Sequence, residues 1–182
     1  MMKKWLLVAI LSGLLMIGFY PVAAEENLLP VWITKCPRAN IVEAEAKVGE
    51  DTVKIRIKLA GLKPPLAYPT IYQEAQAELK KMVEEKEEIY FDFALGYTPT
   101  ADIWVGYLYF LGEEGDWVTA NEELIKKGFS QVDQETAGEN LLNHLLALEA
   151  EAKENNLGLW EIENRPSTKG RRDRSECPSC TR

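Results

Sequence analysis

The chain has 182 residues, an apolar share of 46% and a formal net charge of −8. That length holds one domain with a real core, and that composition excludes wholesale disorder. The acidic balance argues against an extended nucleic-acid footprint, since a polyanion is normally met by a basic face, though it leaves room for one local basic pocket.

The first element is a targeting segment. Lys3 and Lys4 precede an apolar run from Trp5 to about Val22, and Val22-Ala23-Ala24 stands before Glu25-Glu26. Small residues at the third and first positions before the cut predict a signal peptide over residues 1–24. No cysteine follows at once, so lipoprotein processing is not indicated. The competing reading is an uncleaved anchor. The run just spans a bilayer, but Ser12, Gly13, Gly18 and Pro21 weaken it. Either way the expected location is secreted or extracytoplasmic, with membrane contact only through this segment if it is retained.

Leu29 to Cys36 is apolar and β-prone, and Cys36 to Asn40 reads as a turn. Ile41 to Val48 alternates poorly. Thr52 to Leu59 alternates well, with Val53, Ile55, Ile57 and Leu59 toward a core and Lys54, Arg56 and Lys58 on the other face. These three segments predict an antiparallel meander. Gly61 to Pro69 is expected to be irregular, because Pro64, Pro65 and Pro69 remove donors and fix φ. A helix is expected from Pro69 to about Lys86, with Ile71, Ala75, Leu79, Met82 and Val83 as its buried stripe.

Glu88 to Leu95 and Ile103 to Leu111 read as two further strands. Tyr107 and Tyr109 fall on one face of the second, Trp104, Leu108 and Phe110 on the other; such aromatics fill barrels more often than they stack bases. Residues 112–116 suit a turn. Ala120 to Lys127 forms a short helix closed by Gly128, and Glu139 to Asn156 a longer one, after which Leu159-Trp160 should dock back. From about residue 164 the chain is polar and basic and reads as a flexible tail carrying Cys177-Pro178-Ser179-Cys180. The order β-β-β-α-β-β-α-α is that of a mostly-β α+β domain. It is expected over residues 29–163 as a five-stranded OB-type Greek-key barrel with three helices.

Three stretches resemble the staphylococcal nuclease-like (thermonuclease) family. Tyr72 to Val83 is similar to its first helix. Asn121 to Val132 resembles its N-x-x-L-(V/I)-x-x-G-x-x-x-V segment, and Leu148 to Trp160 its closing helix and G-(L/I)-W end. The resemblance covers about Val31 to Trp160. It implies a nuclease fold whose enzymes cut DNA and RNA with Ca²⁺. Carboxylates hold the ion, a Glu activates or orients water, and two arginines clamp the phosphate.

Carried onto this chain, the resemblance places Asn40 at a metal-binding Asp, Lys58 at the first Arg, Lys63 at the second metal Asp, and Leu66 at the Glu. The second Arg falls on Ile103 or Trp104, and no arginine occurs between Arg56 and Arg165. The Ca²⁺ ligands are therefore not retained. One missing oxyanion-type donor alone costs about 10²–10³ in rate. A second register puts Arg56 at the first Arg but still lacks carboxylates, and a third makes Asp51 the metal ligand.

These substitutions predict a domain that has lost catalysis and binds a protein or a small anionic ligand, the latter through Lys58, Lys63 and Asn40. The first alternative is a weak or rewired nuclease using Asp51 or other acids. The second is a thiol–disulfide role for the C-x-x-C tail. Three cysteines in an exported chain make Cys36, Cys177 and Cys180 disulfide candidates with pairing open. His144, the sole histidine, reads as a helix surface residue.

Overall fold

A computed structural model describes residues 28–96, 100, 103–112 and 114–164. Three antiparallel strands come first: β1 (Leu29–Arg38), β2 (Ile41–Val48) and β3 (Asp51–Leu59). Val42, Ala44 and Ala46 of β2 pair with Ile57, Ile55 and Val53 of β3 on the inner side. Two of the inward β2 residues are alanines, so that strand alternates only faintly in hydropathy.

The remaining elements are β4 (Leu62–Lys63), α1 (Pro69–Glu84), β5 (Tyr90–Phe93), β6 (Ile103–Leu111), β7 (Trp117–Thr119), α2 (Ala120–Lys126), β8 (Gln131–Val132), α3 (Glu139–Glu154) and α4 (Leu159–Glu163). Hydrogen-bonded neighbours run β3-β2-β1-β5-β6, and a parallel β3–β6 pairing closes the ring. The result is the expected five-stranded OB-type barrel, with β7 added beyond β6.

The core joins Ile57 and Leu59 of β3, Leu79 of α1, Phe91 of β5, Leu108 of β6 and Leu124 and Ile125 of α2. Each such side chain contributes about 1.5–3 kcal/mol on burial. The α1 stripe is buried as its spacing predicts. The α2 helix starts with a capping box, in which the Thr119 hydroxyl accepts from the Glu122 N–H and the Glu122 carboxylate accepts from the Thr119 N–H. A smaller cluster of Ile71, Ala152, Leu159 and Trp160 docks the C-terminal end, with the Leu159 N–H donating to the Gly128 carbonyl at 3.0 Å.

Several expectations need correction. The first strand runs on through Cys36 to Arg38, so the turn is only Ala39-Asn40. The loop after β3 is not wholly irregular, because Leu62 and Lys63 pair with Val132 and Gln131 before the prolines begin. Trp117–Thr119 forms a strand, and Leu159–Glu163 a fourth helix. The strand over Glu88 to Leu95 shrinks to Tyr90–Phe93. Tyr107 lies outside the barrel yet is buried: it packs with Ala60 and Ala94, and its hydroxyl accepts from the Gly138 N–H at 2.9 Å.

Candidate functional site

The turn that leaves β3 is held on every side. Gly61 has φ +69°, and a Cβ there would sit 2.7 Å from Leu145 Cδ1. Only glycine accepts both the left-handed backbone and the close wall. The Gly61 N–H donates to Thr136 Oγ1 at 3.0 Å, and the Asp133 N–H donates to the Gly61 carbonyl at 2.9 Å. Thr136 Oγ1 in turn donates to Asp133 Oδ2 at 2.9 Å. One residue earlier, the Ala60 N–H donates to the Gly106 carbonyl at 2.7 Å, and Asn121 Nδ2 donates to the Ala60 carbonyl at 2.7 Å. The β4–β8 pair continues the clamp. It is steadied by Glu149, whose Oε1 accepts from the Val132 N–H at 2.9 Å while Oε2 meets Lys153 Nζ at 2.6 Å.

This frame presents the residues singled out from the sequence. Ile55, Ile57 and Leu59 point into the barrel, which leaves Arg56 and Lys58 on its outer wall. Arg56 stands opposite Glu43 on one side and Ile103 on the other; Lys58 stands opposite Ile41 and Val105. The Asn40 carbonyl accepts from the Leu59 N–H at 2.9 Å, which places Asn40 beside the end of β3. Lys63 is exposed on β4, Leu66 is 75% exposed in the loop beyond, and Ile103 is 41% exposed at the start of β6. Ile103, opposite Arg56, stands further back along the wall, while Asn40, Lys58, Lys63 and Leu66 belong to the end of β3 and its loop.

Asp51 does not. It pairs with Val48 in the far turn, seven residues before Lys58 along one extended strand. At about 3.3 Å per residue the two lie about 23 Å apart. Among the described residues no group of three His, Cys, Asp or Glu could hold a metal ion. The described side chains at this end, the amide of Asn40, the ammoniums of Lys58 and Lys63 and the hydrocarbon of Leu66, do not fit Ca²⁺, a hard cation that takes six to eight oxygens and prefers carboxylates.

Sequence reasoning missed Asn121, Thr136, Asp133 and Glu149 as positioners of the loop. Asn121 opens the stretch that resembles the nuclease family, but nothing in its spacing distinguishes a buried strut from a helix-end polar residue.

Cys36 is half-buried on β1, facing Gln76, Lys80 and Glu84 of α1. Burial and then Glu84 push its thiol up to about 11, against the opposite pull of Lys80. That lies well above its ordinary range, so the nucleophilic thiolate is scarce at neutral pH. In the reduced chain, iodoacetamide at pH 8 should alkylate Cys36 many times more slowly than a free cysteine peptide. Peptide mapping by mass spectrometry reads this, and equal rates would refute it. Its candidate partners Cys177 and Cys180 lie outside the described residues, as does the signal peptide expected over residues 1–24. His144 sits on the surface of α3, its Nε2 3.1 Å from Glu122 Oε1.

A closed OB-type barrel whose helix α1 connects the meander to β5, and whose loop after β3 is pinned by α2 and α3, defines a nuclease-fold protein. The family model described as staphylococcal nuclease homologue matches residues 58–162, more than half of the chain. The chain belongs to that family. The match opens at Lys58 and runs to α4, so β1, β2 and most of β3 complete the barrel from residues that precede it. No curated protein matches the chain.

Proposed function

We propose that this is an exported nuclease-fold domain that does not hydrolyse phosphodiesters and serves as a binding module. One observation carries the reading: the β3 loop is fastened by the Ala60, Gly61 and Leu62 contacts, while the side chains it displays are the ammonium of Lys63 and the hydrocarbon of Leu66. Phosphodiester cleavage in this fold calls for carboxylate oxygens to hold a cation and a base to direct water. An ammonium repels a cation, and a leucine neither takes nor gives a proton. Lys58 supplies charge to the outer wall, but as a point donor it lacks the planar fork that grips a phosphate through two oxygens.

The test is a digest of single-stranded DNA by the purified chain with millimolar Ca²⁺, run with and without chelator. The expected result is no chelator-sensitive cleavage above the buffer control. Cleavage that chelator abolishes and that a Lys58→Ala variant loses would overturn the proposal. Export is tested separately, by N-terminal sequencing of the protein recovered outside the producing cell. A mature start at Glu25 is expected, and an intact Met1 would refute cleavage.

A further inference from the structure

Further along β6 than the root of the nuclease-type loop lies a different surface. Leu111 is five residues beyond Gly106, whose carbonyl holds Ala60 at the root of that loop, about 17 Å away. There Leu111 pairs with Trp117 of β7, and Trp117 meets Tyr90 of β5 edge to face with ring centroids 5.5 Å apart. Leu111 is 46% exposed and Trp117 42% exposed. An apolar floor is thus left open on the outer wall of the barrel. Beside it a shallow concavity of about 230 Å³ is lined by Glu85, Lys86, Glu87, Glu88, Tyr90 and Leu111.

The rim is acidic. Glu85, Glu87 and Glu88 are exposed on one side, and Glu114 and Asp116 are exposed in the turn on the other. Lys81 stands 4.0 Å from Glu85 in an exposed pair, and Lys86, the base among the lining residues, is already used: its Nζ donates to the Leu111 carbonyl at 2.9 Å and lies 5.2 Å from the centre of the Phe110 ring. It therefore fixes the β6 end rather than neutralising the rim.

We infer that this face is a docking surface for a lysine- and arginine-rich segment of another polypeptide. Charge complementarity chooses the partner. A long basic side chain lays its aliphatic stem on Leu111 and its cation against the Trp117 or Tyr90 ring, and the rim carboxylates meet its head. Carboxylates on both sides repel phosphates, which disfavours nucleic acid and anionic lipid. The exposed tryptophan supplies the kind of anchor that concentrates binding energy at interfaces. This gives a partner class to the binding role proposed above and rests on that role. The two fail separately, since one is read by peptide binding and the other by DNA cleavage.

The test uses the full chain and the anisotropy of a short fluorescein-labelled peptide of alternating arginine and serine. Trp117→Ala should weaken binding about tenfold, as loss of an aromatic anchor does. The double variant Glu85→Gln/Glu87→Gln should also weaken it about tenfold, and a matched control, Glu74→Gln/Glu154→Gln, by less than about twofold. Near-ultraviolet circular dichroism confirms that each variant is folded. Equal loss in the rim and control variants, or no loss with Trp117→Ala, would show only the general acidity of the chain and overturn the inference. A third arm tests the chain's own basic end as the occupant. If Arg171→Gln/Arg172→Gln/Arg174→Gln tightens peptide binding, that segment competes for the face and the external partner is refuted; unchanged binding supports it.

Discussion

Asn121→Ala should cost about 3–5 kcal/mol of unfolding free energy, enough to leave a domain of this size marginal. Asn121 is fully buried and serves three backbone groups at once. Its Nδ2 donates to the Ala60 carbonyl at 2.7 Å and to the Gly106 carbonyl at 3.3 Å, and its Oδ1 accepts from the Leu108 N–H at 3.3 Å. Alanine leaves the Leu108 N–H and half the carbonyl demand unmet in a site water does not reach, at about 1–3 kcal/mol for each orphaned group. It also opens a cavity between α2 and β6. Asn121→Asp keeps the shape but removes the donor and sets a carboxylate against two carbonyls, so it should be at least as damaging at neutral pH. Urea unfolding followed by tryptophan fluorescence measures both. A loss below about 1 kcal/mol for the alanine variant would mean that Asn121 is not the strut described.

The barrel was legible where one face of an element is buried and the other is not. Val53, Ile55, Ile57 and Leu59 announce β3 because the period of two coincides with inside and outside. The α1 stripe does the same at helical spacing. Tyr107 escaped because alternation separates the two faces of a strand but does not say whether a second layer covers the outer one; here Gly138, at the start of α3, does. The strands β4, β7 and β8 span two or three residues, and only their neighbours in space determine that they pair. At the candidate site the side-chain types at Lys58, Lys63 and Leu66 could be read directly. The struts beneath them could not, since Thr136 and Glu149 reach the loop from 75 residues away and from the opposite side of β8 respectively.

Gly106→Val should be the most damaging single change on the barrel wall, at about 4 kcal/mol or more, and should prevent accumulation of folded protein. A Cβ on Gly106 would collide with the Asp92 carbonyl oxygen and lie 2.7 Å from the Phe91 ring. The first obstacle is backbone and the second is a fully buried side chain, so neither can move aside without parting β5 from β6. The Gly106 carbonyl also receives the Ala60 N–H and Asn121 Nδ2, so Gly106 and Asn121 hold the same junction between β3, β6 and α2. Their effects should therefore not add, and a double variant would cost less than the sum of the two. By contrast, Lys63→Asp or Leu66→Glu changes an exposed side chain and should move stability by no more than about 0.5 kcal/mol. The same denaturation series tests both sides of this contrast. If the loop variants unfolded the domain while Gly106→Val was tolerated, the division would be wrong. If the contrast holds, it explains how a chain can keep the barrel of a nuclease while the chemistry on its loop changes. The junction beneath the loop carries the fold, and the side chains above it are free to take another role.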